Sequence, residues 1–274
     1  MMQKPASRTA PALLAEMAAR YPDAEFIVDG DTRLTYAGFG DTVRRYAKGL
    51  HALGMLRGGR MAILMDNRHE WLLAYFAGMS LGVEVVALNT WATPTELAYQ
   101  IRDAGVELLV AEDRLRDKAL DDVLAGILAA DSGIACLDRT ITVDGAVRES
   151  RIPFGALPDL GSAVTDDDLA ANTASGGDTA CILYTSGSTS LPKGVPLLHH
   201  GLIDNMWSIG ERMHLSPDDR LWLAVSMFWS FSCVNALFTV MTHGGTVVLQ
   251  HHFDAGEALR LIEQERCTVF YGLP

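Results

Sequence analysis

Short apolar runs alternate along this chain with stretches whose apolar residues recur at helical spacing. The segment 1–23 reads as an amphipathic helix, because Glu16 and Arg20 interrupt its apolar stretches and no secretory signal fits. "RMAILM" (60–65), "EVVAL" (84–88) and "ELLVA" (107–111) have the length and character of buried strands, and "EWLLAYFAGMSLG" between the first two reads as a helix. Asn67, three residues before Glu70, predicts a cap for that helix. Thr93, Pro94 and Glu96 supply an N-cap, a first-turn proline and a capping-box acid for the next, which Gly105 ends. Helical spacing returns up to Ile127 and "IACLD" follows. The section 140–178 reads as irregular, with Asp166, Asp167 and Asp168 on a solvated face.

Strand, helix and strand in this order predict an α/β protein whose largely parallel sheets are covered by helices. A second α/β lobe is expected to begin near Ser175. There "TACILY" reads as a strand, "HHGLIDNMWSIGERMHL" as a helix and "RLWLAVSM" as a strand again. Gly244 and Gly245 mark the turn into "TVVLQ", Asp254 and Glu257 form a capping pair, and "TVFYGLP" opens as a strand. The expected organisation is a first lobe over 1–174 and the start of a second over 175–274. A last buried-type strand with no successor reads as the front part of a longer protein.

One stretch, "LWLAVSMFWSFSCVNALFTV" (221–240), approaches the length that spans a bilayer. Ser226, Ser230, Ser232, Asn235 and Thr239 are costly in lipid but natural in a buried strand, loop and helix, so no transmembrane segment is expected. Composition agrees, with 49% hydrophobic and 20% charged residues. A net charge of −12 would repel nucleic acids and anionic membrane surfaces, which removes both from the expected partners. Cys136, Cys181, Cys233 and Cys267 are far apart in sequence and read as reduced thiols of a cytoplasmic protein. The doublets His199–His200 and His251–His252 have no third ligand nearby in sequence, and no metal site is expected from them.

The candidate chemistry lies in "YTSGSTSLPKGV" (184–195). Small residues after a strand let the backbone turn sharply and present N–H groups, and Thr185, Ser186, Ser188 and Thr189 add hydroxyl donors without bulk. Lys193 adds a compact positive charge. A phosphate site and a merely flexible polar linker both fit this composition, and Pro192, Lys193 and Gly194 tied directly to a strand favour phosphate. The P-loop of ordinary nucleotide triphosphatases is excluded by spacing, since Lys193 sits between Pro192 and Gly194.

These residues resemble the adenylate-forming enzymes, the superfamily of acyl-CoA synthetases, luciferases and nonribosomal adenylation domains, whose loop runs approximately Y-T-S-G-[ST]-T-G-x-P-K-G. Residues 184–194 match except at Ser190, which stands where the family usually has glycine. "LTY" (34–36), "GGRMAILMDNRHEW" (58–71), "GVEVVALNTWATPTEL" (82–97) and "HGGTVVL" (243–249) extend the resemblance.

The resemblance implies the N-terminal adenylation-domain fold, truncated, with the C-terminal domain absent. It also implies a ligase that joins a carboxylic acid to ATP as an acyl adenylate and then passes the acyl group to coenzyme A. Thr185, Ser186, Gly187, Ser188, Thr189 and Lys193 would hold ATP phosphates, with Mg²⁺ sharing their charge. Trp229 stands where many acyl-CoA synthetases have a histidine, and Trp229, Phe231 and Asn235 would line the acyl pocket. The resemblance places the main catalytic residues beyond this chain, which is expected to be inactive alone. A carrier protein as acceptor and a catalytically silent relative stay open as alternatives.

Overall fold

The computed structural model describes residues 3–115, 117–144, 151–185 and 191–272. Helix α1 (Ala10–Arg20) is capped by the Thr9 hydroxyl and leads into the hairpin β1 (Glu25–Asp29) and β2 (Thr32–Thr35). Helix α2 (Tyr36–Ala52) precedes the run β3 (Arg60–Leu64), α3 (His69–Ser80), β4 (Glu84–Ala87), α4 (Pro94–Asp103) and β5 (Leu108–Glu112). The capping box of Thr93 and Glu96 forms at the start of α4 as the sequence predicts, and Gly105 takes a positive φ just past its end.

Two short strands, β6 (Arg114–Leu115) and β7 (Lys118–Ala119), precede α5 (Leu120–Ala130). The section expected to be irregular carries β8 (Thr140–Val143), β9 (Arg151–Pro153) and the short helices α6 (Leu157–Leu160) and α7 (Asp166–Ala170). Its strands are too short, and β8 too rich in threonine, to stand out as an apolar run. Then follow β10 (Thr179–Thr185), β11 (Lys193–Leu198), α8 (His199–Met213) and β12 (Arg220–Leu223). A π-helical stretch Phe231–Ala236 runs into α9 (Leu237–Met241), and β13 (Thr246–Leu249), α10 (Ala255–Gln264) and β14 (Val269–Tyr271) follow. No helix of the described residues is long and apolar enough to cross a membrane.

The strands form two main sheets. One has the order β11-β10-β4-β3-β5-β8-β9, with every neighbour parallel except the hairpin β10–β11. The other has the order β14-β12-β13-β1-β2, parallel except for the hairpin β1–β2. Each sheet therefore takes strands from both sides of residue 175, where a second lobe is expected to start.

Helix α3 sits in the core between the sheets. Residues Trp71 to Met79 are all buried, on every side of the helix, and α3 touches β3 and β4 of one sheet and β1 of the other. A helix apolar all round belongs in such a place. A second apolar layer packs α4 and α5 on the outer face of the seven-stranded sheet, through Leu97, Ile101, Leu124 and Ile127 against Leu64, Val86 and Leu109.

Asn67 corrects the sequence reading. The N-cap of α3 is Arg68, which makes no side-chain cap bond, while Asn67 is buried and reaches across to the other sheet. Its Nδ2 donates to the carbonyls of Val225 at 2.9 Å and Gln250 at 3.4 Å, and its Oδ1 accepts from the Met227 amide at 2.8 Å. One side chain thus holds the segment that leaves β12.

His199, at the start of α8, is fully buried and accepts a hydrogen bond at Nδ1 from the Ala10 amide at 3.3 Å. Burial pulls its pKa down to about 4 against a weaker opposing pull from Asp178. The folded protein therefore holds a neutral imidazole that the unfolded chain protonates near pH 6.5. Above that pH neither state takes the proton; below it the unfolded state does, so stability falls as pH drops from about 6.5 towards 4. The loss attributable to this group reaches about 3 kcal/mol at the lower end. Urea unfolding across that range checks it: the difference between the wild-type and His199→Gln curves should shrink steadily with acid, and a constant offset would remove the assignment.

Candidate functional site

The hairpin β10–β11 presents the glycine- and hydroxyl-rich loop at its tip. Register pairs Tyr184 with Gly194 and Thr185 with Lys193, so the last strand residue before the loop lies directly beside the first one after it. Ser186, Gly187, Ser188, Thr189 and Ser190 fall outside the described residues. Thr185 and Lys193 are both exposed at the stem, which puts a hydroxyl and an ammonium side by side at the loop's base.

The stem is anchored on one side by Tyr184. Its hydroxyl donates to Asp103 Oδ2 at 2.6 Å, with the Gln100 carbonyl a longer, alternative acceptor at 3.2 Å, both in the last turns of α4. Burial first, and then the neighbouring Asp103 charge, hold this phenol far above its ordinary range, so it stays protonated and keeps donating. Its ring lies against Gly194: a Cβ there would come within 3.2 Å of the tyrosine ring and of Ile182. Tight packing of that kind fixes where the loop leaves the sheet.

Beside the stem lies a cleft of about 570 Å³. Thr185, Pro192 and Val195 form its hairpin wall, Glu96 and Gln100 of α4 the opposite one, and Trp229 closes one side. Trp229 is 43% exposed and belongs to an aromatic group with Phe228, at 5.9 Å between centroids, and Trp91, at 6.3 Å. The carboxylate of Glu96 is engaged by the Thr93 amide and hydroxyl, which lower its pKa. Such a cleft offers binding surface and a nearby cation, and among the described residues that line it no free acid or base is found.

Phe231 and Asn235, the other two residues expected at the acyl pocket, are not among those that line this cleft. Phe231 packs its ring 4.9 Å from that of Tyr271, and Asn235 Oδ1 accepts from the Tyr271 hydroxyl at 2.8 Å. They share a side, as their spacing predicts, but that side faces β14, whereas Trp229 faces the cleft. Tyr184, Asp103, Trp91 and Asn67 are the site-building residues that sequence reasoning misses. The tyrosine lies inside the loop motif, and its partner 81 residues earlier carries no local signal.

Comparison with known proteins agrees with this geometry. The AMP-binding enzyme family matches residues 14–274. The acyl-CoA ligase sidI of Aspergillus fumigatus is 32% identical over 273 residues, covering 96% of this chain and 46% of the relative. A feruloyl-CoA synthase of Amycolatopsis is 31% identical over 254 residues, covering 92% and 46%. Among solved structures, the inhibitor-bound N-terminal domain of FACL13 from Mycobacterium tuberculosis superposes with a TM-score of 0.82 at 25% identity, covering 98% of this chain and 63% of that one. The o-succinylbenzoate CoA synthetase MenE of Bacillus subtilis, in complex with its acyl-adenylate intermediate, superposes with a TM-score of 0.73 at 25% identity, covering 95% and 61%. The chain spans about half the length of the curated relatives it matches. With α/β architecture, loop hairpin and family match in agreement, the chain belongs to the AMP-binding enzyme family, that of the acyl-CoA synthetases.

Proposed function

We propose that the protein takes part in activating a carboxylic acid with ATP, forming an acyl adenylate and pyrophosphate, and in passing the acyl group to coenzyme A. The observation that carries this reading is the pairing of Thr185 with Lys193 at the base of the loop, beside a cleft large enough for an organic acid. Thr185 and Lys193, with Ser186, Gly187, Ser188 and Thr189, would hold the phosphates of ATP, and the ammonium would offset charge on the leaving pyrophosphate. Mg²⁺ would arrive with ATP; Thr185 offers a hydroxyl near that position, and no other described side chain is assigned to the ion. Because the matched relatives are about twice as long, the reaction is proposed for a polypeptide that carries this sequence at their full length. The 274 residues alone are expected to bind without turnover. Acid-dependent ATP–pyrophosphate exchange, run on both forms with and without coenzyme A, tests the reading; exchange with no acid that it accelerates would end it.

Trp229 sets the shape of the cleft in this reading. Replacing it with glycine opens the aromatic side while leaving Thr185 and Lys193 in place. Trp229→Gly is expected to shift the ratio of kcat/KM between bulky and small acids by about 10-fold or more towards the bulky ones. The KM for ATP should stay put. An unchanged acid profile would return Trp229 to a packing role and leave the loop assignment intact.

A further inference from the structure

A second polar site lies where the carboxyl ends of strands from the two sheets meet. Asp29 ends β1, and His69 and Glu70 open α3. His69 Nδ1 lies 2.7 Å from Asp29 Oδ2 and 3.4 Å from Glu70 Oε2, and one ligand atom from each of the three residues falls within 4.8 Å of the others. His69 and Glu70 are partly exposed, so solvent reaches them, while Asp29 is buried. Two further bonds hold the group in shape. The His69 amide donates to Asp29 Oδ2 at 2.9 Å, and His251 Nε2, just past β13, lies 2.8 Å from the other Asp29 oxygen.

The surroundings hold more carboxylates than fixed cations, although the hydrogen bond to Asp29 raises the pKa of His251 and His252 lies 3.6 Å from Asp66. Arg68 serves Glu70 through two hydrogen bonds, at 2.8 and 3.0 Å, and also reaches Asp144 at 2.6 Å and Glu112 at 3.7 Å. Asp66 adds another carboxylate, its amide bonded to Glu112 at 2.8 Å. One guanidinium thus stands among several acids, a field that draws cations.

We propose that Asp29, His69 and Glu70 bind a first-row divalent transition-metal ion, Zn²⁺ foremost. Bonds of about 2.0–2.2 Å to nitrogen and oxygen put tetrahedral ligand atoms roughly 3.3 Å apart, which the observed separations bracket. On binding, His69 Nδ1 would turn its lone pair to the ion in place of its contact with Asp29, and Glu70 would turn one oxygen from Arg68 to the ion, while Arg68 keeps Asp144. Water completes the shell. His251 stays outside it and orients the Asp29 carboxylate, as outer-shell partners of metal ligands do. Mg²⁺ is a poor occupant because it prefers an octahedron of oxygens, and an imidazole takes one place here. This site lies apart from the loop and does not depend on the reading of the loop as a phosphate site. The ion would tie the end of β1, in the five-stranded sheet, to the helix that fills the core.

The test uses the 274-residue chain, stripped with a chelator and then titrated with Zn²⁺ and Co²⁺. Expected are one ion per chain, a visible Co²⁺ ligand-field spectrum without thiolate charge-transfer bands, and a melting temperature that rises with Zn²⁺ but not with Mg²⁺ at the same concentration. His69→Gln and Glu70→Gln should each abolish the Co²⁺ spectrum, and His251→Gln should weaken binding by about 10- to 100-fold. Should His69→Gln fail to fold, Glu70→Gln decides alone. Wild-type affinity in a folded His69→Gln or Glu70→Gln variant, thiolate bands, or no binding at micromolar Zn²⁺ would each overturn the assignment.

Discussion

Asn67→Ala is expected to lower the unfolding free energy by about 3 kcal/mol. The amide side chain is fully enclosed and makes three contacts to backbone groups of the opposite sheet's loops. Removing it strands the Met227 N–H and the Val225 carbonyl, and each buried polar group left unpaired costs about 1–3 kcal/mol. The cavity left by the lost atoms adds to this. Asn67→Asp sharpens the test. It keeps an acceptor for Met227 but sets a carboxylate against the carbonyl oxygens of Val225 and Gln250, so it should destabilise as strongly as alanine. Urea denaturation measures both. A loss under about 1 kcal/mol in both variants would mean that water takes over all three bonds. Because the segment that Asn67 holds runs on to Phe228 and Trp229, the same variants should also loosen the aromatic side of the cleft.

Lys193→Met in the full-length protein is expected to cut acid-dependent pyrophosphate exchange by about 10²–10³-fold, the size seen when one donor to developing charge is removed. The side chain is exposed at the start of an edge strand, so unfolding free energy should move by less than about 0.5 kcal/mol. Thr185→Val should act in the same direction with a smaller loss, since it removes a neutral hydroxyl in place of a charge. Lys193→Arg separates charge from shape: partial rescue is expected, because a guanidinium keeps the charge but not the compact ammonium geometry. Full exchange in Lys193→Met, with the fold intact, would remove the lysine from the site.

Elements that rest on local signals are legible in the sequence. The capping box of Thr93 and Glu96, the apolar core helix after β3 and the strand β10 before the loop all depend on residues within a few positions of one another, whereas β11, exposed along most of its length, offers no buried apolar run and is missed. Asn67 misled because an asparagine before a helix satisfies a local rule, while its actual partners lie 158 to 183 residues away. The placement of β10 beside β4, and of β1 beside β13, was likewise out of reach, since a parallel pairing leaves no mark in either strand alone. Phe231 and Asn235 kept their common side but met Tyr271, whose distance in sequence concealed the contact. For the Asp29, His69 and Glu70 group, a doublet search along the sequence could not succeed, because the carboxylate that meets His69 comes from a different sheet's strand.

The strand β1 pairs on its parallel side with β13, Val28 lying opposite Val248. During synthesis, at about 5–20 residues per second, the hairpin β1–β2 therefore emerges on the order of ten to forty seconds before its sheet partner exists. Through that interval Phe26 and Val28, buried in the finished protein, have no sheet to enter, and α3 has only one of its two walls. A strand introduced early in the gene is thus closed into its sheet among the last.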